Sequence, residues 1–266
     1  MSRNQSGGND GREEILAEFK NVTFGYDGEA PLIRNLSFCM KKGEFVTLVG
    51  PSGCGKSTIF RLMNRLETPQ AGEILLNGGT SGQKGGGVRC GYMPQQDLLF
   101  PWRTVAENVR LPLEIKGGMG EKEMTERAEE ALSSVGLSGW GGKLPRELSG
   151  GMRQRASFAR TLMTGAELLL LDEPFSALDY LTRLTMREWL LKQWERERKT
   201  VLFITHDVEE AVFLSTRILA AGRRPVSELL EYRVSLPYPR TEASLNTPEA
   251  AALKEELIRM FREGEK

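Results

Sequence analysis

The chain has 266 residues, and its 36 Lys and Arg residues balance 36 Asp and Glu residues, so the formal net charge is zero. This length predicts one large domain, or one domain with a subdomain. The lack of net positive charge gives no support for broad nucleic-acid binding, which usually needs a basic surface. The polar first residues and the short apolar runs predict neither a secretory signal nor a membrane span.

The numbers and spacing of the cysteines and histidines exclude several kinds of site. The three cysteines are widely spaced and fit no zinc, redox or disulfide pattern, which favours reduced thiols. The chain has a single histidine, His206, so a site built from several histidines is excluded.

The first third of the sequence has the pattern of strands around one helix. Alternating or continuous apolar residues predict strands, an amphipathic pattern predicts a helix that begins at Lys56, and the many glycines after it predict a mobile loop. The predicted strands cover 16–24, 32–40, 44–49 and 73–76, and the predicted loop covers 77–87.

From Thr104 the pattern becomes mainly helical, and two buried strands follow later. We expect helices at 121–135, at 149–163, at 179–198 and at 208–214, and strands at 168–171 and 201–205. Thr247 and Pro248 have the pattern of a helix start. The apolar stripe that follows favours packing against the core, with a regulatory or dimer contact as the alternative.

Residues 50–58 read GPSGCGKST, which fits the phosphate-binding loop pattern G-x-x-x-x-G-K-[ST] between a strand and a helix. Glycines let backbone N–H groups approach phosphate oxygens, Lys56 can reach the β- and γ-phosphates, and Ser57 can offer a hydroxyl to Mg²⁺. The predicted nucleotide-binding residues here are Gly50, Pro51, Ser52, Gly53, Cys54, Gly55, Lys56, Ser57 and Thr58.

Two carboxylates follow the apolar run at 168–171. Asp172 occupies the position of a Mg²⁺-holding aspartate at the end of a buried strand. Glu173 is the expected general base for an attacking water.

Residues 148–154 read LSGGMRQ, which resembles the LSGGQ-like signature of ABC ATPases with Met152 in place of the usual Gln. Ser149 can cap a helix whose free N–H groups face an anion, and Gly150 and Gly151 allow close approach of another backbone. The resemblance implies a head-to-tail homodimer in which this signature completes the ATP site of the partner subunit.

The remaining family elements appear in order and cover about residues 15–220. By resemblance, Gln95 senses Mg²⁺, Asp179 belongs to the loop after the catalytic glutamate, and His206 steadies the γ-phosphate. Tyr26 matches the aromatic that stacks on adenine, with Phe24 as the competitor. Catalytic roles are therefore expected of Glu173, His206 and Gln95, and Mg²⁺ contacts of Ser57, Gln95 and Asp172.

The family resemblance also implies the architecture. We expect an α/β fold: a P-loop core with a mainly parallel sheet, an antiparallel β subdomain and an inserted α-helical subdomain. The expected divisions are a flexible tail at 1–14, a nucleotide-binding domain at 15–230 with helical residues at about 97–164, and an extension with an amphipathic helix at 231–266.

The segment 95–109 resembles the corresponding region of ATPases that drive importers of nitrate, sulfonates, taurine and pyrimidine thiamin precursors. That resemblance implies a separate membrane permease, an extracytoplasmic solute-binding protein, and a peripheral position on the cytoplasmic face of the membrane. Pro101 and Trp102 would lie in the groove for the permease's coupling helix, unless Trp102 is a core aromatic. The alternatives are a soluble ABC ATPase of DNA repair or translation, and an exporter ATPase.

One further expectation concerns Cys54, which lies beside Lys56 and a helix N-terminus. Such a setting typically lowers a thiol pKa. It predicts that alkylation blocks ATP hydrolysis and that bound ATP protects.

Overall fold

The computed structural model describes residues 14–77, 79–80 and 90–264. The N-terminal tail and most of the glycine-rich segment 77–87 therefore lie outside the described residues. Within the described part of that segment, Gly79–Thr80 form a short strand. No helix among the described residues is long and apolar enough to cross a membrane.

The described strands form two sheets. The smaller sheet is antiparallel, with the order β2-β1-β4-β5. Its members are β1 (Ile15–Phe24), β2 (Ile33–Lys41), β4 (Ala71–Leu76) and β5 (Gly79–Thr80). The alternation of apolar and polar residues in β1 and β2 fits a sheet with one face on the core.

The larger sheet has the order β10-β9-β3-β8-β7-β6 in the described residues, and all of its neighbouring pairs are parallel except β10 with β9. Its members are β3 (Phe45–Val49), β6 (Cys90–Met93), β7 (Leu168–Asp172), β8 (Thr200–Ile204), β9 (Arg217–Ala221) and β10 (Leu229–Arg233). Every residue of β3, β7, β8 and β9 is buried. Such continuous apolar runs are typical of parallel strands covered on both faces.

The helices are α1 (Lys56–Met63), α2 (Val105–Lys116), α3 (Glu121–Ser134), α4 (Gly150–Leu162), α5 (Tyr180–Glu197), α6 (Val208–Leu214) and α7 (Pro248–Gly264). Helices α2, α3 and α4 pack on one another between β6 and β7 in the chain. The α/β class, the mainly parallel core, the antiparallel sheet and the helical insertion are confirmed, while the domain boundaries stay predictions.

Strand β7 shows how the core is divided. Leu168 and Leu170 belong to a cluster with α1 and the antiparallel sheet, whereas Leu169 and Leu171 belong to a cluster with α2–α6. The period of two in a strand sends successive side chains to opposite faces. The carboxyl end of this strand, where Asp172 lies, is therefore fixed by packing on both sides.

The C-terminal helix α7 packs against α6. Leu257 and Ala250 are fully buried in the larger cluster, and Leu253, Met260 and Phe261 pack at its edge. The apolar stripe thus covers the core, as the sequence favoured.

Candidate active site

The phosphate loop connects β3 to α1 with a backbone that only small residues tolerate. Gly55 precedes α1 with φ of 113°, in the left-handed region. A Cβ on Gly50 would come 2.8 Å from the carbonyl oxygen of Ala221. Because Gly55 has no side chain to cap α1, the first N–H groups of this helix are left for a ligand.

Lys56 is held inside the loop that it follows. Its Nζ donates to the carbonyl oxygens of Gly50 at 2.7 Å and Pro51 at 2.9 Å, and the residue is 8% exposed. A positive charge therefore lies within the curve of the loop. This arrangement suits a nucleotide phosphate.

Asp172 ends β7 and is 3% exposed. Burial raises its pKa to about 6, Glu173 adds to that rise, and the Ser57 hydroxyl and Lys56 oppose it. Ser57, Asp172 and the amide of Gln95 offer only oxygen ligands, which suits Mg²⁺. A carboxylate and a hydroxyl with room for waters and phosphates fit the usual mode of Mg²⁺ binding.

Glu173 lies immediately after β7 in a strained conformation, with φ of 47°. Its N–H donates to the carbonyl of Ile204 at 3.0 Å, which ties it to β8. Its Oε2 accepts from Gln95 Nε2 at 3.0 Å and lies 3.4 Å from His206 Nδ1. The three residues expected to be catalytic thus meet at one carboxylate oxygen.

His206 follows β8, and its side chain is 66% exposed. Its neighbours fix the backbone: Asp207 N donates to Thr205 Oγ1 at 3.0 Å, and Asp207 Oδ1 accepts from the first turn of α6. The imidazole therefore projects toward solvent beside Glu173 from a rigid backbone.

The signature residues lie at the start of α4. Ser149 Oγ accepts from Met152 N at 3.3 Å, so Ser149 caps the helix as expected. Ser149 and Gly150 are exposed. Asp179 caps α5 in the same way through Thr182. The hydrogen bonds of Ser149 and Asp179 go to their own helices rather than to the phosphate loop.

Gln154, which the sequence analysis did not single out, connects α4 to the backbone of Glu173 and the residues after it. Its Nε2 donates to the Glu173 carbonyl at 3.1 Å and to Ser176 Oγ at 3.2 Å, and its Oε1 accepts from Ala177 N at 2.9 Å. Arg224, also missed, donates from Nε to the Gly53 carbonyl of the phosphate loop. Gly53 and Arg224 are 171 residues apart in the sequence, so local spacing gave no signal for this contact.

Tyr26 and Phe24 are placed differently. Phe24 is 5% exposed, whereas Tyr26 is 36% exposed and packs edge-on against the Phe24 ring at 5.1 Å. Of the two, only Tyr26 has a face free for a base. Its adenine contact stays a prediction.

Trp102 is 73% exposed, so the core-aromatic alternative is wrong. Its ring lies 5.2 Å from that of Phe100, itself 36% exposed. Together they form an exposed aromatic pair just after the loop that holds Gln95.

The expected lowering of the pKa of the Cys54 thiol is also wrong. Cys54 is 3% exposed, and burial raises its pKa although Lys56 and Arg224 act in the opposite direction. Desolvation outweighs the positive charges because the Sγ packs into the core beneath the loop instead of facing the phosphate side.

Comparison with known proteins bears on this geometry. The family model of the ABC transporter ATPases, described as "ABC transporter", matches residues 33–176, more than half of the chain. The chain belongs to the ABC transporter family. It is an ABC ATPase with a P-loop fold.

The relatives include importer components. The formylaminopyrimidine import ATP-binding protein ThiZ of Halalkalibacterium halodurans is 46% identical over 219 residues, which cover 82% of this chain and 84% of ThiZ. The aliphatic sulfonates import ATP-binding protein SsuB of Bacillus cereus is 38% identical over 241 residues, covering 89% and 91%.

A solved structure supports the fold. The dimeric post-hydrolysis structure of the ATP-binding cassette MJ0796, bound to ADP and Pi, matches with a TM-score of 0.75 at 32% identity. The match covers 82% of this chain and 99% of that chain. Its ligands support ATP binding by this family member.

Proposed function

We propose that this ABC ATPase is the energising subunit of an importer for a small solute, in the class of nitrate, sulfonates, taurine or pyrimidine precursors. The importer names of the relatives ThiZ and SsuB support the direction of transport. The resemblance in 95–109 supports the solute class. A separate permease and an extracytoplasmic solute-binding protein would complete the system, with this chain peripheral to the membrane on the cytoplasmic face.

The observation that carries the ATPase mechanism is the meeting of Gln95 and His206 at Glu173 Oε2, with distances of 3.0 and 3.4 Å. One carboxylate oxygen flanked by an amide donor and an imidazole can orient and deprotonate an attacking water. The phosphate loop would hold the nucleotide, with its Lys56 and Ser57 close enough to Asp172 to lower the pKa of that carboxyl.

In the proposed reaction, Lys56 and the N–H groups of α1 bind the β- and γ-phosphates. Glu173 accepts a proton from water as the water oxygen attacks the γ-phosphorus, and the bond from the γ-phosphorus to the β–γ bridging oxygen breaks, which gives ADP and phosphate. His206 donates a hydrogen bond to a γ-phosphate oxygen. Ser57, Asp172 and Gln95 would hold Mg²⁺, which neutralises charge on the phosphates when bound.

We further propose a head-to-tail homodimer. The cap residue Ser149 and neighbouring Gly150 are exposed, so the start of α4 faces no phosphate of its own chain. The MJ0796 cassette, which is dimeric in its post-hydrolysis structure, supports this assembly. Trp102 and Phe100 would contact the permease's coupling helix, since exposed aromatics suit a helix-in-groove contact.

The decisive variant is Glu173→Gln, which keeps the shape and hydrogen bonds of the side chain but removes the base. We expect kcat to fall by roughly 10²–10⁴-fold while ATP binding, measured with a fluorescent analogue, is kept. Glu167→Gln, at the solvent-exposed position before β7, is the matched control. Near-normal turnover in Glu173→Gln would remove Glu173 from the chemistry.

The importer assignment has its own test. Tagged protein is purified gently from membranes, and co-purifying proteins are identified by mass spectrometry. A polytopic permease with a solute-binding protein supports the proposal. Recovery with ribosomes or repair proteins would favour the soluble ABC ATPase instead.

A further inference from the structure

His206 lies just before a very short helix. Helix α6 (Val208–Leu214) has seven residues, about two turns, and begins two residues after His206. Helices of this length are unstable on their own because nucleation is costly. The position of α6, and of the residue in front of it, therefore depends on what holds its ends.

The N-terminal end is tied to His206 on both sides of that residue. Thr205 Oγ1 donates to the carboxylate of Glu210 at 2.6 Å, and Asp207 caps the helix through Glu210 N at 3.2 Å and Glu209 N at 2.8 Å. Because Thr205 and Asp207 are both bonded to the first turn, any movement of α6 is passed on to His206.

The C-terminal end of α6 is bonded to a buried side chain from the extension, in addition to the hydrogen bond from the Ser215 hydroxyl to Thr47 of β3. Nη1 of Arg240 donates to the carbonyl oxygens of Val212 at 3.2 Å, Phe213 at 2.8 Å and Ser215 at 2.8 Å. Carbonyls at the end of a helix lack intrahelical partners and carry partial negative charge. Arg240, 5% exposed, therefore caps α6 electrostatically and by hydrogen bonds.

Arg240 is itself fixed rather than adaptable. Its Nε and Nη2 donate to the Leu236 carbonyl at 3.3 and 3.1 Å, and its guanidinium lies 4.2 Å from the centre of the Tyr238 ring. Leu236 and Tyr238 belong to the same extension. The contact of Arg240 with the end of α6, which we call the clamp, is thus held in place by the segment that follows β10.

Two other contacts join the extension to the same region. Glu242 pairs with Arg187 of α5, whose guanidinium lies 4.6 Å from the ring centre of Phe213 in α6. Lys254 of α7 lies 3.4 Å from Glu209 in the first turn of α6. The extension therefore contacts α6 at its end, its side and its start.

We propose that Arg240 is a positioning residue for ATP hydrolysis: by capping α6 it holds His206 in place beside Glu173. This inference rests on the proposed catalytic role of His206. It assigns to the C-terminal extension a function in turnover, in addition to covering the core.

The test uses the full chain without a polyhistidine tag, so that His206 is the only histidine and gives one imidazole Cε1–H signal by NMR. Arg240→Met should lower kcat by about tenfold or more, since a misplacement near 1 Å can cost up to 10²-fold. The KM for ATP should change less than about twofold, because the phosphate loop is untouched. The His206 signal should shift or broaden.

Arg240→Lys keeps the charge but loses the guanidinium fork, and should restore part of the kcat. It also carries the test if Arg240→Met fails to give a cooperative thermal unfolding transition. Arg262→Met, on the exposed side of α7, is the matched control and should leave both readouts unchanged.

A double-mutant cycle separates this inference from the proposed function. In a His206→Ala background, measured by single turnover, Arg240→Met should cause little further loss because its target is gone. An equal loss in both backgrounds, or an unchanged kcat and His206 signal in Arg240→Met, overturns the positioning role. Normal turnover of His206→Ala would instead refute the catalytic role of His206 itself.

Discussion

The N-termini of two helices, α1 and α4, have similar residues but different surroundings. Helix α1 begins after Gly55 and α4 after Ser149, and the first turns of both contain glycine or hydroxyl residues and no acidic residue. By contrast, α2, α3 and α6 carry acids in the first turn. A helix start without its own carboxylate is free to receive an anion from elsewhere.

The difference is in what faces each start. The start of α1 lies within its own chain's site, beside Lys56 and Asp172, and Lys56 and Thr58 of its first turn are buried. The start of α4 is exposed at Ser149 and Gly150. The start of α1 thus meets charged groups of its own chain whereas the start of α4 is exposed, which supports the proposal that α4 completes the phosphate-loop site of another subunit.

The largest expected effect on ATP binding comes from removing the charged donor at the start of α1. Lys56→Ala removes a charged donor from the phosphate loop, and hydrogen bonds to charged groups contribute about 1.5–3 kcal/mol. We therefore expect ATP affinity to fall roughly 10- to 150-fold in a titration with a fluorescent analogue. Lys192→Ala, exposed on α5, is the control. Unchanged affinity in Lys56→Ala would contradict the phosphate role.

The second prediction concerns Gly150→Leu, a substitution that changes the start of α4 and leaves α1 unaltered. A Cβ on Gly150 meets only the Arg153 guanidinium at 3.9 Å, so Gly150→Leu is tolerated by the fold of the single chain. Its side chain would block the approach of a partner's nucleotide. We expect normal ATP binding but at least tenfold slower hydrolysis, because only the shared site is disturbed.

The same substitution gives a direct readout of assembly. In a Glu173→Gln background, ATP-induced dimerisation should be lost on size-exclusion chromatography. Gly142→Leu is the control, since a Cβ there meets nothing within 4 Å. Dimerisation of the Gly150→Leu chain as readily as the control would refute the head-to-tail arrangement.

These two starts also show what the sequence could reveal. The phosphate loop, the acid pair and the signature are contiguous motifs, and each can be recognised from its residue spacing. The helices and strands that carry them were therefore predicted with boundaries correct to one or two residues. Lys56 is the first residue of α1, Asp172 is the last residue of β7, and Glu173 follows it, as predicted. The meeting of Gln95, Glu173 and His206 could be expected only from the family resemblance, because the three are far apart in sequence.

The clamp on α6 could not be predicted in this way. Arg240 is 25 to 28 residues from its carbonyl partners, and the segment that holds it has no helical or strand periodicity. A buried arginine is rare unless its donors are satisfied, and that satisfaction is visible only in three dimensions. Arginine side chains are mostly exposed in folded proteins, whereas Arg240 is 5% exposed.

The smallest expected effect is on the labelling of the buried thiols, one of which, Cys54, lies in the phosphate loop. Alkylation requires the thiolate, and burial raises the pKa of Cys54 and raises that of Cys90 to about 11. Folded protein at pH 7.5 should therefore show almost no labelling at either residue by peptide mass spectrometry, with or without ATP. In urea at the same pH, both should react, because the unfolded thiol pKa is ordinary.

The pH dependence follows from the direction of these shifts. Since the thiol form of Cys90 is favoured by the fold, its labelling rate should rise about tenfold per pH unit from 8 to 10, with near-UV circular dichroism confirming that the chain stays folded. Rapid labelling of Cys54 at pH 7.5 with ATP protection would restore the original expectation of an activated thiol. Slow labelling would support a role for Cys54 in which its backbone N–H belongs to the phosphate loop. Its side chain would then only pack the loop onto the core beneath α1.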